Sequence, residues 1–144
     1  MKPDEQNAYT LIADVALIYD RSVLLVKYKD PNGYDGQTGW FIPDASVKYL
    51  EHPDKAATRL LKVQLGLGIH GLVLDHIESF QGNDGSWHLA FHYKVGLEHT
   101  PQLKASDAIA NHQWFPIDQL PPKDEVAHHG WANTILKKIR SGIS

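Results

Sequence analysis

The sequence predicts a single α/β domain spanning residues 1–144, and three observations carry that prediction. Two runs rich in β-branched and aliphatic residues, Tyr9 to Tyr19 and Ser22 to Tyr28, flank a two-residue turn. A helical pattern occupies Pro53 to Leu65, and an amphipathic one closes the chain from Val126 to Ile139. Between the helices, Leu72 to Phe80 and Trp87 to Val95 read as a second strand pair. A chain of 144 residues is the size of one ordinary domain and can bury a core without staples.

Residues 1–8 form a polar N-terminal arm without an apolar signal core. Asp20-Arg21 supplies the tight turn of the first hairpin. Lys29 to Gly39 holds Gly33, Gly36, Gly39 and Pro31, so it reads as a loop, long enough to suggest function. Trp40-Phe41-Ile42 reads as a short strand stopped by Pro43. In the first helix, Pro53 suits the first helical position and Asp54 the positive end of the dipole. Ala56, Ala57, Leu60, Leu61 and Gln64 share one face, and Gly66 supplies the stop. The turn between the later strands is Gln81-Gly82-Asn83-Asp84-Gly85-Ser86. The strand after it alternates, with Trp87, Leu89, Phe91, Tyr93 and Val95 on one face and His88, Ala90, His92 and Lys94 on the other. His99 to Asp107 is polar loop, Gln113 to Ile117 a short strand, and Asp118 to Pro122 a turn. The last helix carries Trp131, Ile135 and Ile139 on one stripe, with Lys137, Lys138 and Arg140 near its negative end.

Composition excludes several function classes. Without cysteine there is neither a disulfide framework nor a thiolate metal site, which suits a cytoplasmic protein. The longest apolar stretch, Leu11 to Ile18, is broken by Asp14 and too short to span a bilayer, so no membrane partner is expected. A net charge of −3 gives no electrostatic reason to expect a nucleic-acid polymer. The nine histidines are scattered and form no local metal signature.

Around the first helix, Trp40 precedes Pro43-Asp44-Ala45; Glu51 follows after five residues and Arg59 after seven more, leading into Leu60-Leu61-Lys62-Val63-Gln64-Leu65-Gly66-Leu67. This spacing resembles the box of the Nudix hydrolase superfamily, G-x5-E-x7-R-E-U-x-E-E-x-G-U, with Glu51, Arg59, Leu61, Gly66 and Leu67 matching in type. The segment from Trp114 to Pro121 and the closing helix are similar to that family's late strand and last helix, so the resemblance runs from about Tyr9 to Ile139. It implies a Nudix fold, a mixed curved β-sheet sandwiched between helices in α/β/α layers. It also implies cleavage of a nucleoside diphosphate linked to another moiety, with Mg²⁺ or Mn²⁺ bound by glutamates on one turn of the box helix.

Here the box is degenerate, because three of those glutamates are Leu60, Val63 and Gln64. Hard divalent cations want several oxygen ligands, mostly carboxylate and water. Leu60 and Val63 offer none, and Gln64 offers only a neutral amide oxygen. Two glycines of the preceding turn are Asp44 and Ala45. A relocated metal site would draw on Asp44, Glu51 and Asp107, the last from a late loop.

Each candidate residue has a plain structural alternative. Glu51 and Arg59 read as catalytic remnants, or as an ion pair tying loop to helix. Tyr34 and Trp40 read as platforms for a nucleobase, with Asp44 and Gln64 as polar ligand contacts; Trp40 reads equally as core. Arg21, Lys27 and Lys29 are phosphate contacts or solvated charges. His88 and His92 lie about 13 Å apart along one strand face and cannot share a metal alone; cross-strand pairing with His76 or Asp75 makes a polar pocket, against the default of solvated sheet histidines. His128 and His129 read as surface.

Three functions follow. The first is a module with no confident cofactor that binds a nucleotide-like or phosphorylated small molecule, or a protein partner, without efficient hydrolysis, its output a partner or a possible homodimer. The second is a divergent Nudix hydrolase using Mg²⁺ or Mn²⁺. The third is a protein-interaction domain.

Overall fold

A computed structural model describes residues 9–34, 36–82 and 85–141. The polar arm 1–8, Asp35, the turn residues Asn83 and Asp84, and the side chains of His129 and Arg140 lie outside the described residues.

The first hairpin joins β1 (Tyr9–Tyr19) to β2 (Ser22–Tyr28) through Asp20 and Arg21, at φ +47° and +61°. Two successive positive φ values are what a two-residue turn needs to match the twist of its strands. Only Ile18↔Val23 and Tyr19↔Ser22 pair across this hairpin, because a wedge of chain separates the strands beyond it. Phe41 bonds Val26 in both directions, at 2.8 and 2.9 Å, while Pro43 gives its carbonyl to Val15 at 3.0 Å. The short strand expected at Trp40 to Ile42 is therefore replaced by single bridges, Val26↔Phe41 and Trp40↔Val126. Pro43 has no N–H with which to continue a ladder. The strand falls instead on β3 (Asp44–Ser46), where a turn was expected; neither Asp44 nor Ala45 adopts positive φ, so loss of the two glycines strains nothing.

The remaining elements are α1 (Pro53–Leu65), β4 (Val73–Gln81), β5 (Trp87–Gly96), β6 (Ile109–Pro116) and α2 (Ala127–Ser141). Strand β6 starts earlier than its polar sequence suggests, since Ile109 to His112 pair with β2 at the sheet edge, where polar side chains are tolerated. The six-stranded mixed sheet runs β4-β5-β1-β2-β6, with β3 added to β1. Strand β1 is parallel to β5 and antiparallel to its other neighbours.

Helices cover both faces, giving α/β/α layers. On one face Ala13, Val15, Leu17, Leu24 and Val26 pack under Ala56, Ala57, Leu60, Leu61 and Leu65 of α1. On the other, Ala16, Val23, Leu25 and Ile42 pack under Ala132, Ile135, Leu136 and Ile139 of α2. Burial on both sides explains why β1 and β2 read as near-continuous apolar runs. It also overturns the expectation for β5: His88 and His92 are buried beneath α2, while Trp87 is exposed. Among the described residues no helix is long and apolar enough to cross a membrane.

Helix α1 ends at Gly66, φ +69°, whose N–H reaches the carbonyls of Leu61 and Lys62. Two further carbonyls of its last turn are satisfied by the loop before β6, through Lys104 N–H to Leu65 and Ser106 N–H to Gln64, at 2.9 and 2.8 Å.

Candidate functional site

Glu51 and Arg59 clamp the loop between β3 and α1. Arg59 donates from Nε to Glu51 Oε2 and from Nη2 to Glu51 Oε1, both at 3.0 Å, and from Nη2 to the Ser46 carbonyl at 2.9 Å. The Lys48 N–H adds a third bond to the Glu51 carboxylate at 3.0 Å. The Arg59 hydrogen bonds, then that of Lys48, hold the Glu51 carboxyl down to about 2. Leu50, beside it, is kept at φ +64°, a left-handed conformation that costs energy for a branched residue.

The three box positions that lack carboxylates behave differently. Leu60 is buried in the core against the sheet, and Val63 is 63 % exposed. Gln64 is buried with both ends of its amide engaged: Nε2 donates to the Asp44 carbonyl, and Oε1 accepts from the Tyr28 hydroxyl, each at 2.8 Å. The Tyr28 oxygen in turn accepts the Asp44 N–H at 2.9 Å. Gln64 thus ties α1 to β2 and β3.

Tyr34, from the glycine-rich loop, lies flat on Tyr28, with ring centroids 3.7 Å apart and planes 8° from parallel. Half-burial there pushes its phenol up to about 12. Packing accounts for one face of this ring, which the sequence alone did not explain. The ring also borders a cavity of about 260 Å³, together with Asp44, Ser46, His88, His128 and Trp131. Burial, and after it the neighbouring Asp14, pushes the Asp44 carboxyl well above the usual carboxylate range. His128, expected at the surface, is on the cavity wall and packs edge-on against Phe41.

Other candidates lie elsewhere. Trp40 is buried in the core under α2, edge-on to Phe115 and beneath the Lys27 ammonium. Asp107 is exposed on the loop that caps α1. Arg21 pairs with Asp118 at 3.7 Å. Among the described residues, no lysine or arginine borders the cavity.

A row of titratable side chains crosses four strands on the α2 face. Asp44 is the cross-strand neighbour of Asp14, Asp14 of His92, and His92 of His76. His92 Nδ1 lies 2.8 Å from both carboxylate oxygens of Asp14, and both side chains are fully buried. Burial raises the Asp14 carboxyl despite the lowering effect of His92. Sequence reading missed Asp14 as a site residue; the signal was an acid interrupting the most apolar strand.

The family model described as NUDIX domain matches residues 9–133. No curated protein matches the chain significantly in sequence. Among solved structures, the chain is similar to the MutT NUDIX hydrolase from Burkholderia pseudomallei, at TM-score 0.73 and 22 % identity over 92 % of this chain and 99 % of that one. It is similar to a C. elegans Ap4A hydrolase in a binary complex, at 0.73 and 15 % over 93 % and 97 %. It is similar to the NUDIX domain of Shewanella oneidensis NrtR complexed with ADP ribose, at 0.74 and 16 % over 100 % and 94 %.

Proposed function

The chain belongs to the NUDIX domain family, and on that premise we propose that it binds a nucleotide-like small molecule without efficient metal-dependent hydrolysis. One observation carries the reading. The box turn that would hold Mg²⁺ or Mn²⁺ presents Leu60 to the core, Val63 to solvent and Gln64 to internal hydrogen bonds. Those side chains do not fit a hard dication, which needs several free oxygen donors. The remaining box carboxylate, Glu51, is engaged by Arg59 and Lys48.

The cavity supports the binding half of the reading. Its wall combines aromatic rings, Tyr34, Phe41 and Trp131, with the polar groups of Asp44, His88 and Asn32. That lining suits a base and sugar held by stacking and hydrogen bonds. With no lysine or arginine bordering the cavity among the described residues, the phosphates of such a ligand would extend toward solvent. Adenine nucleotides are the first probes, since similar folds carry ADP ribose or act on Ap4A.

The test pairs ligand-induced thermal stabilisation with product analysis, using ADP ribose, Ap4A and nucleoside diphosphate sugars, with and without Mg²⁺ or Mn²⁺. Stabilisation that needs no metal, leaves the ligand intact and is lost in Tyr34→Ala supports the proposal. Metal-dependent turnover at rates ordinary for an enzyme overturns it. A second reading, a divergent hydrolase, draws on Asp44, whose carboxyl group is on the cavity wall, where a dication would favour its charged form. It requires Mg²⁺- or Mn²⁺-dependent phosphate release that disappears in both Asp44→Asn and Glu51→Gln.

A further inference from the structure

The buried row on the α2 face ends in a cluster that the reading above does not use. His76 and Glu78 stand on the edge strand β4, and His92 is the cross-strand partner of His76. One ligand atom from each of the three lies within 4.8 Å of the others.

His92 is completely buried, and its Nε2 has no hydrogen-bond partner. An imidazole nitrogen stranded in the interior is costly unless something occupies the space before it. Its other nitrogen is committed to Asp14 at 2.8 Å. With the proton on Nδ1, Asp14 fixes the ring and leaves a lone pair on Nε2. His76 shares the Nδ1 half of the arrangement, with Nδ1 2.6 Å from Asp75 Oδ2, while its Nε2 already faces Glu78 Oε1 at 3.1 Å. Two neighbouring imidazoles, each with a carboxylate on Nδ1, are built as metal-bound histidines are, where such carboxylates set the tautomer and raise ligand basicity.

We propose that His76 Nε2, His92 Nε2 and the Glu78 carboxylate form a site for a transition-metal dication of the Zn²⁺ class, with Asp75 and Asp14 as the outer carboxylates. The donor set chooses the ion. Two imidazoles and one carboxylate suit Zn²⁺, Co²⁺ or Ni²⁺, whereas Mg²⁺ and Ca²⁺ prefer oxygen alone. Three protein ligands leave a fourth position for water or another small ligand. Bond lengths near 2.0–2.1 Å place tetrahedral ligands ~3.3 Å apart, so from separations of up to 4.8 Å the side chains must draw in by at most about 1.5 Å. Glu78 has that freedom, because its side chain is 20 % exposed. Lys138 reaches the same Glu78 oxygen at 3.3 Å and is 58 % exposed, so it can turn out to solvent when a dication arrives. The half-exposed edge of β4 provides the entry path, and the Trp131 ring, 5.4 Å from that of His92, closes the inner side. The site is on the sheet face opposite α1 and so separate from the box; it shares that face and Trp131 with the cavity, but none of its three ligands lines the cavity.

The chelator-stripped protein, titrated with Zn²⁺ at neutral pH by calorimetry, is expected to bind one equivalent and to gain thermal stability; Co²⁺ should show the visible absorption of a four-coordinate site, and Mg²⁺ should bind no such site. His76→Ala and Glu78→Gln are each expected to weaken Zn²⁺ at least tenfold, Asp75→Asn roughly 10–100-fold, and His112→Ala, an exposed histidine on another strand, not at all. His76 and Glu78 are near the surface, and circular dichroism of those two variants separates lost ligation from lost folding. Absence of stoichiometric Zn²⁺ binding by the parent protein overturns the proposal. So does binding that survives undiminished in both folded variants.

Discussion

Glu51 and Arg59 form a two-pronged ion pair that also collects the Ser46 carbonyl and the Lys48 N–H, so one side-chain pair fixes the loop leading into α1. Its pH signature follows from the direction of the shift. The Arg59 and Lys48 hydrogen bonds depress the Glu51 carboxyl from 4.5 to about 2. A depressed acid contributes stability that is complete above the unfolded value and is lost as pH falls through the folded one. The contribution is therefore intact above about pH 4.5 and disappears toward pH 2. Glu51→Gln is expected to lower Tm at pH 7, and the gap from the parent should close as pH approaches 2. Thermal denaturation across that range checks it; an equal gap at pH 7 and pH 2 would contradict the clamp. Asp14 and Asp44 act in the opposite sense, because burial raises both and their ionisation works against the fold as pH rises.

Helix α1 shows how one element can keep a family's spacing while losing its chemistry. Every position of the box is occupied in register, yet its turn now serves the core. Two substitutions that restore the box acid separate these roles. Leu60→Glu places a carboxylate in the packed layer under the sheet and is expected to cost several kcal/mol. Val63→Glu, on the exposed side, should change stability by no more than about 0.5 kcal/mol. Denaturant unfolding of both variants makes the comparison; a harmless Leu60→Glu would mean that this face opens to water. The end of α1 depends on Gly66. A Cβ there would adopt φ +69° and meet Lys104 Cβ at 2.9 Å. Gly66→Ala is expected to cost at least ~1–2 kcal/mol, read from the same unfolding curves. The limits of this helix were legible because Pro53, Asp54 and Gly66 are local signals. The segment from Trp40 to Ser46 was not, because its pairing is decided by a wedge between β1 and β2 that no local pattern announces.

At the scale of the molecule, two helices on opposite faces of one sheet create two separate surroundings. The face under α1 holds the box; the face under α2 holds the cavity, the buried Asp14–His92 pair and the His76–Glu78 cluster. A ligand that fills the cavity touches β1, β3, β5, the glycine-rich loop and α2 at once, so binding and global stability are linked. At a hundred times its Kd, such a ligand should add roughly 2.7 kcal/mol to unfolding, and the gain should not depend on Mg²⁺.

The amino-acid sequence by itself determined the strands and helices with strong period or end signals, the family spacing from Ala45 to Leu67, and the missing carboxylates at Leu60, Val63 and Gln64. All of these are properties of residue type and separation along the chain. Only the tertiary structure decided that Gln64 spends its amide on Tyr28 and Asp44, that Trp40 is core while Tyr34 borders a cavity, and that His88 and His92 face inward. Alternation marks the two faces of a strand but not which one a distant helix will cover. Register across the sheet, set by hydrogen bonds between segments far apart in sequence, is what brings Asp14, His92 and His76 into one row.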